Sequence, residues 1–250
     1  MNRQPDALAG GLRTERRDAW WLEPLLTVVA LVAFGIYALY VALVRRDFAW
    51  GPYLSPFYSV PIPGVHPENF ANLPFSPAFL FLWIPLGFRA TCYYYRKAYY
   101  RAFFWDPPAC AVSELRKSYS GERKFPFVLN NLHRYFWYLS VIVVIFLAYD
   151  AVRAFFWSDG FHVGVGTLVM VANVVLLGYY TFSCHAFRHL AGGCMDCMSQ
   201  NKTRYGLWKW ISHHNERHAF WAWVSMFGVA LTDVYIRLVA TGTITDLRIF

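Results

Sequence analysis

The stretch Cys184-His185-Ala186-Phe187-Arg188-His189-Leu190-Ala191-Gly192-Gly193-Cys194-Met195-Asp196-Cys197 is the densest run of metal-binding side chains in the sequence. On a helix His185 and His189 fall on one face, the spacing at which two imidazoles can share a metal. Cys184 points about 100° round from His185 and reaches the same pocket from its edge. Gly192-Gly193 then ends the helix. Three chemistries use ligands of this kind. Cys194 and Cys197 form a C-x-x-C that, with His185 and His189, makes a structural zinc site. Two thiolates with two imidazoles are the ligand set of a Rieske-type [2Fe-2S] cluster, although the C-x-H and C-x-x-H spacing of soluble Rieske proteins is absent. Histidines on several helices can also clamp a haem b through axial imidazoles.

The elements that must hold these residues are membrane helices. Of 250 residues, 57% are hydrophobic, 20% aromatic and 15% charged, against roughly 25% charged and about 45–50% apolar in soluble domains. This excludes an ordinary water-soluble enzyme and a disordered chain, and five Cys are too few for a disulfide scaffold. A bilayer core about 30 Å thick takes roughly 20 apolar helical residues. Charge-free runs predict an all-α integral membrane bundle of five transmembrane helices over 24–240, with spans at about 24–44, 77–95, 134–156, 164–190 and 216–238. Segment 1–23 precedes it and a tail, 241–250, follows. Ser76-Pro77 is expected to open the second span as N-cap and first-turn proline. The first run is too long for a signal peptide and is read as a retained span.

Placing the N-terminus in the cytoplasm and the C-terminus outside puts 17 of the 23 Lys and Arg in inner segments and five in outer ones, with Arg89 inside a span. The basic balance therefore reads as topology, with no nucleic-acid partner. Topology gives each reactive residue a depth: Cys92, His133, Cys184, His185, His189 and His218 all fall in the inner leaflet. Polar groups at that depth are costly and are functional candidates. Asp150 with Arg153, and Asp233 with Arg237, are expected to be interfacial ion pairs at the outer ends of spans three and five.

The strings Arg89-Ala-Thr-Cys92-Tyr-Tyr-Tyr-Arg96-Lys97-Ala-Tyr-Tyr-Arg101, Pro107-Pro-Ala-Cys110-Ala-Val, Ser118-Tyr-Ser-Gly-Glu-Arg123, Asn131-Leu-His133-Arg134-Tyr-Phe, Ser183-Cys184-His185, Arg188-His189 and Arg217-His218 resemble the membrane-anchor subunit of actinobacterial, mycobacterial-type succinate dehydrogenase 1, the cytochrome b-like but haem-free anchor of respiratory complex II. The resemblance covers spans two to five. It implies a chain in the bacterial cytoplasmic membrane that docks the flavoprotein and iron-sulfur subunits on its cytoplasmic face, the succinate site lying on another subunit. It also implies a quinone (menaquinone or ubiquinone) site and a membrane-embedded Rieske-type [2Fe-2S] cluster. Cys92 and Cys184 would be the thiolate ligands, and two of His185, His189 and His218 the imidazole ligands, with Arg89 and Arg188 as electrostatic support. Tyr93, Tyr94, Tyr95, Arg96, His133, Trp137 and Trp221 are the quinone candidates. The basic loop from Arg96 to Lys124, with Tyr99, Tyr100 and Trp105, would face the iron-sulfur subunit or membrane lipid. Competing readings are a haem b cytochrome anchor and a non-redox membrane scaffold with a zinc site.

Overall fold

A computed structural model describes residues 12–44, 46–59, 76, 79–115, 123–125, 127–193 and 195–250. Four helices are long and apolar enough to cross a membrane: α1 (Leu22–Leu43), α4 (His133–Arg153), α5 (Val165–Phe182) and α8 (His218–Ala240). A shorter apolar helix, α2 (Phe79–Thr91), takes the place of the second expected span. Two of the expected spans are broken. The second ends at Thr91, and α3 (Tyr93–Tyr99) restarts after Cys92. The fourth ends at Phe182, and α6 (His185–Gly192) restarts after Cys184. The amphipathic helix α7 (Lys202–Asn215) then leads into α8.

The helices are apolar nearly all round because lipid takes the place of a second core. Only Pro24, Val41 and Ala42 are buried on α1, while Leu25, Leu26, Val29, Ile36 and Leu39 are exposed, a surface a soluble monomer would not tolerate. The interior is formed where α8 packs on α5, α5 on α4 and α4 on α2. Small residues permit the closest approach: a Cβ on Gly87 of α2 would lie 2.1 Å from the Phe136 ring of α4.

The end of the bundle remote from the cysteines is closed by two hairpins, β1–β2 (Ala49–Trp50, Tyr53–Leu54) and β3–β4 (Phe156–Trp157, Gly160–Phe161). The C-terminal tail pairs with Val163 and Val165. Asp246 in that tail accepts from Tyr53 Oη at 2.8 Å and the Gly166 N–H at 2.9 Å. Ser76 precedes α2: its hydroxyl donates to Phe57 O at 2.7 Å and its carbonyl accepts from the Phe79 N–H. Pro77 lies outside the described residues.

The pair expected at the interface between Asp233 and Arg237 forms, at 2.8 Å, but it is interior. Asp233 is fully buried. It also accepts from the Tyr37 and Ser55 hydroxyls, tying α1 and the first hairpin region to α8. A helix-depth anchor at the surface needs no such partners, whereas a carboxylate withdrawn from water does. Asp150 accepts from Ser59 Oγ at 2.6 Å. At the cysteine end, the segment before α1 straps the loop after α3: Thr14 pairs with Val112, and Arg16 Nη1 donates to Cys110 O at 2.8 Å.

Candidate metal centre

Each helix break puts a cysteine in extended backbone just before a new helix. Cys92 (φ −66°, ψ 131°) is the N-cap of α3, and Cys184 (φ −66°, ψ 143°) is the N-cap of α6. The free N–H groups of a helix start favour negative charge, which offsets part of the cost of burying a thiolate there. The Cys184 sulfur already accepts from the Ala186 N–H at 3.4 Å. His133 and His218 are the first residues of α4 and α8. Four helix starts therefore supply two thiols and two imidazoles to one place.

The contacts are crosswise. His133 Nε2 lies 3.1 Å from Cys184 Sγ, and His218 Nε2 lies 3.7 Å from Cys92 Sγ. On their other edges, His133 Nδ1 is 2.9 Å from Thr91 Oγ1 and His218 Nδ1 is 2.8 Å from Ser183 Oγ. Thr91 and Ser183 are the residues immediately before the two cysteines. Thr91 spends its only proton on Gly87 O at 2.7 Å, so it accepts from His133. The His133 proton is therefore on Nδ1, and the Nε2 lone pair faces sulfur, the tautomer a metal ligand requires. The ring planes are held as well: His133 stacks on Phe88 at 4.9 Å and His218 on Tyr180 at 5.0 Å.

Among the described residues, no group of three or more His, Cys, Asp or Glu closes on a single ion-sized point. The four residues form two Cys–His pairs. That spread does not match one tetrahedral zinc. A haem would need two imidazoles facing each other across a porphyrin, whereas each imidazole here faces a sulfur.

His185 and His189 differ from expectation. Both are exposed on α6, whose buried residues are Ala186, Ala191 and Gly192. His189 Nδ1 meets Arg134 Nη2 at 3.1 Å. The cavity lined by Cys92, Cys184, His133 and His218 is lined by His185 as well, and its lining does not include His189. Cys197 is exposed with its sulfur 2.9 Å from Ser199 Oγ, and Cys194 lies outside the described residues.

His133 was expected at the quinone and lies instead among the sulfurs. Of the other quinone candidates, Tyr93, Tyr94 and Arg96 line a cavity of about 250 Å³ that opens on the centre, together with Asn130 and Asn131. Trp137 does not reach it, because its indole N–H is donated to Thr181 O at 2.8 Å. Tyr95 donates to Ala222 O at 2.7 Å, and Trp221 stacks on Tyr179 at 4.6 Å. Asn130, absent from the expectations, has a buried side-chain N–H group with no partner among the described residues.

Arg89 is interior. It donates to Tyr95 Oη, Ala222 O and Ser225 Oγ at 2.8–3.0 Å and lies 4.7 Å over the Tyr180 ring. No carboxylate pairs with it among the described residues. Arg188 belongs elsewhere: it donates to Ser212 Oγ at 2.8 Å and lies over Trp208 of α7.

The comparisons with known proteins agree with this architecture. Residues 22–242 match the family described as actinobacterial succinate dehydrogenase subunit SdhC. The fold is similar to a chain of the Mycobacterium smegmatis Sdh1 complex in the apo form, with a TM-score of 0.87 and 43% identity over 95% of this chain and 94% of that one. Comparison with curated proteins gives no match. The chain belongs to the actinobacterial SdhC family and is a membrane subunit of succinate dehydrogenase, the oxidoreductase of complex II.

Proposed function

We propose that this subunit relays electrons from the iron-sulfur subunit to a quinone through a Rieske-type [2Fe-2S] centre held by Cys92, Cys184, His133 and His218. The observation that carries this reading is the convergence of two thiols and two imidazoles at four helix starts. The His133 lone pair faces the Cys184 sulfur, and metal binding would require both thiols to give up their protons. When bound, such a centre accepts and returns one electron at a potential raised by its two imidazole ligands.

The chain's own residues do the rest. Thr91 holds His133 in the ligating tautomer, Ser183 fixes the His218 ring through Nδ1, and the N–H groups at the starts of α3 and α6 offset part of the cost of burying the thiolates. Arg89, a half-buried cation with no carboxylate partner among the described residues, offsets the negative charge of thiolate ligation. The quinone headgroup occupies the cavity beside the centre, where the unpartnered Asn130 N–H offers a hydrogen bond to a carbonyl. This refines the earlier ligand expectation: His133 replaces His185 and His189 as partner of His218. The charge bias places this end of the bundle in the cytoplasmic leaflet of the bacterial cytoplasmic membrane, with the flavoprotein and iron-sulfur subunits docked below it.

The test is electron paramagnetic resonance with iron and haem analysis of the purified complex. A reduced signal with the low average g of a histidine-ligated [2Fe-2S] centre, and no b-type absorbance, is expected. A haem b band without that signal would sink the proposal.

A further inference from the structure

The outward side of α7 divides into two arcs. At about 100° per residue, Leu207 and Trp210 fall together with His214, and Lys202, Gly206, Lys209 and His213 fall on the neighbouring arc. The remaining side faces the protein: Ile211 is fully buried, Arg204 donates to Ala191 O, and Asn215 donates to Ser183 O at 2.7 Å.

The apolar arc continues a surface that lipid covers. Trp210 packs on His214 with ring centroids 4.3 Å apart, His214 stacks on Tyr179 of α5 at 5.4 Å, and Tyr179 stacks on Trp221 of α8 at 4.6 Å. Tyr179 ends the stripe that Leu168, Ala172 and Val175 form along α5, all three exposed on a helix long enough to cross the membrane. The ladder of rings carries that lateral surface onto α7, where Leu207 and Trp210 are 42% and 44% exposed. Beside it, Lys202 and Lys209 are exposed and pair with no carboxylate among the described residues. A Cβ on Gly206, between them, would meet nothing within 4 Å. An apolar arc continuous with the acyl-facing surface and edged by lysines is the pattern of a helix lying in the headgroup layer. A lipid meets both arcs at once, whereas a water-soluble subunit at the end of the bundle would leave the lateral arc uncovered.

We propose that α7 binds an anionic phospholipid of the adjoining leaflet: Lys202 and Lys209 hold the headgroup phosphate over Gly206, and an acyl chain lies along Leu207, Trp210 and Tyr179. The lysine stems follow the edge of the apolar arc and carry their ammonium groups to the level of the phosphate. The assignment does not depend on which metal the cysteines hold.

The experiment uses the purified whole complex in phosphatidylcholine nanodiscs containing a diazirine-bearing phosphatidylglycerol or, in parallel, a diazirine-bearing phosphatidylcholine. After irradiation, adducts are located by peptide mass spectrometry. Phosphatidylglycerol adducts are expected to concentrate on α7 and to saturate with mole fraction, whereas phosphatidylcholine labels the lipid-facing helices alike. Lys202→Gln with Lys209→Gln should raise the half-saturating mole fraction about 30-fold, the effect of removing two charges near an anionic surface. Lys202→Arg with Lys209→Arg should label as wild type does. Equal labelling of α7 by the two probes overturns the proposal, and so does the absence of any label, which would mean that a protein subunit covers the helix. Loss of the adducts to competing inorganic phosphate would assign the site to the free ion and refute the lipid. The two probes are compared on wild type alone, so that result stands even where the glutamine pair does not assemble.

Discussion

Replacing Thr91 with Val tests the site where the geometry is most explicit. The hydroxyl has two contacts, donating to Gly87 O at 2.7 Å and accepting from His133 Nδ1 at 2.9 Å. Gly87 O is one helical turn away and has the helix's own N–H as partner, so its loss is minor. His133 is left with a buried N–H and no acceptor, a cost of about 1–3 kcal/mol. The ring can escape by moving its proton to Nε2, and that tautomer cannot ligate. Either way metal binding bears the penalty. Since 1.4 kcal/mol is a factor of ten, the expected loss of affinity is about 10- to 100-fold, the range seen when outer partners of metal ligands are removed. The assay is retention of the paramagnetic signal and iron against increasing chelator. Thr91→Val should lose half its iron at about 10- to 100-fold less chelator, whereas Thr91→Ser, which keeps the hydroxyl, should behave like wild type. If Thr91→Val holds iron as wild type does, or if Thr91→Ser is equally labile, the hydroxyl is not what orients His133.

Other substitutions probe other links of the argument. His133→Ala and His218→Ala should each abolish the signal and quinone reduction while succinate oxidation by a soluble acceptor persists; His185→Ala and His189→Ala should keep the signal. Asp233→Ala leaves Arg237 buried without its carboxylate and should cost about 3–5 kcal/mol in chemical unfolding of the subunit, much of it recovered by replacing both residues with apolar ones of similar size. Gly87→Ala should loosen the α2–α4 contact and lower iron content, because its Cβ meets the Phe136 ring, while Gly35→Ala, with nothing within 4 Å, should be silent. The Cys197 thiol, outside the spans, has its pKa lowered by the Ser199 hydroxyl. Ser199→Ala should therefore slow its alkylation near pH 8, and a rate unchanged in mass-spectrometric labelling would remove that hydrogen bond from consideration.

Depth was legible in the sequence and direction was not. The charge asymmetry of the loops set Cys92, His133, Cys184 and His218 at one level before any contact was known, and each lies at the start of a helix at that level. The pairing of His185 with His189 was misleading because i, i+4 spacing reports only that two side chains share a face. Which way that face points depends on the break at Ser183–Cys184. Both breaks fall inside apolar runs, where hydropathy has no contrast with which to mark them. A quieter signal was present: Thr91-Cys92 and Ser183-Cys184 are the same hydroxyl-thiol dipeptide, each within an apolar run. Their use could not be read locally, since each hydroxyl serves an imidazole that arrives from a distant helix. The second long helix was overestimated for the same reason, its aromatic continuation being α3 beyond the break. Likewise Asp233 and Arg237 were recognised as partners, while the Tyr37 and Ser55 hydroxyls that make the pair interior come from far earlier in the chain.

The crosswise arrangement also bears on timing. Neither cysteine has an imidazole near it in the chain that meets its sulfur: the partner of Cys92 is 126 residues away and that of Cys184 is 51. A nascent chain with only α2 and α3 in place offers a single thiol, a poor competitor for any metal. On the proposed ligand set, iron would be well held only after α4, α6 and α8 have docked, so loading would follow folding of the bundle. The ordering protects the subunit during synthesis, because adventitious zinc or copper finds no complete ligand set until the geometry that selects between metals has formed.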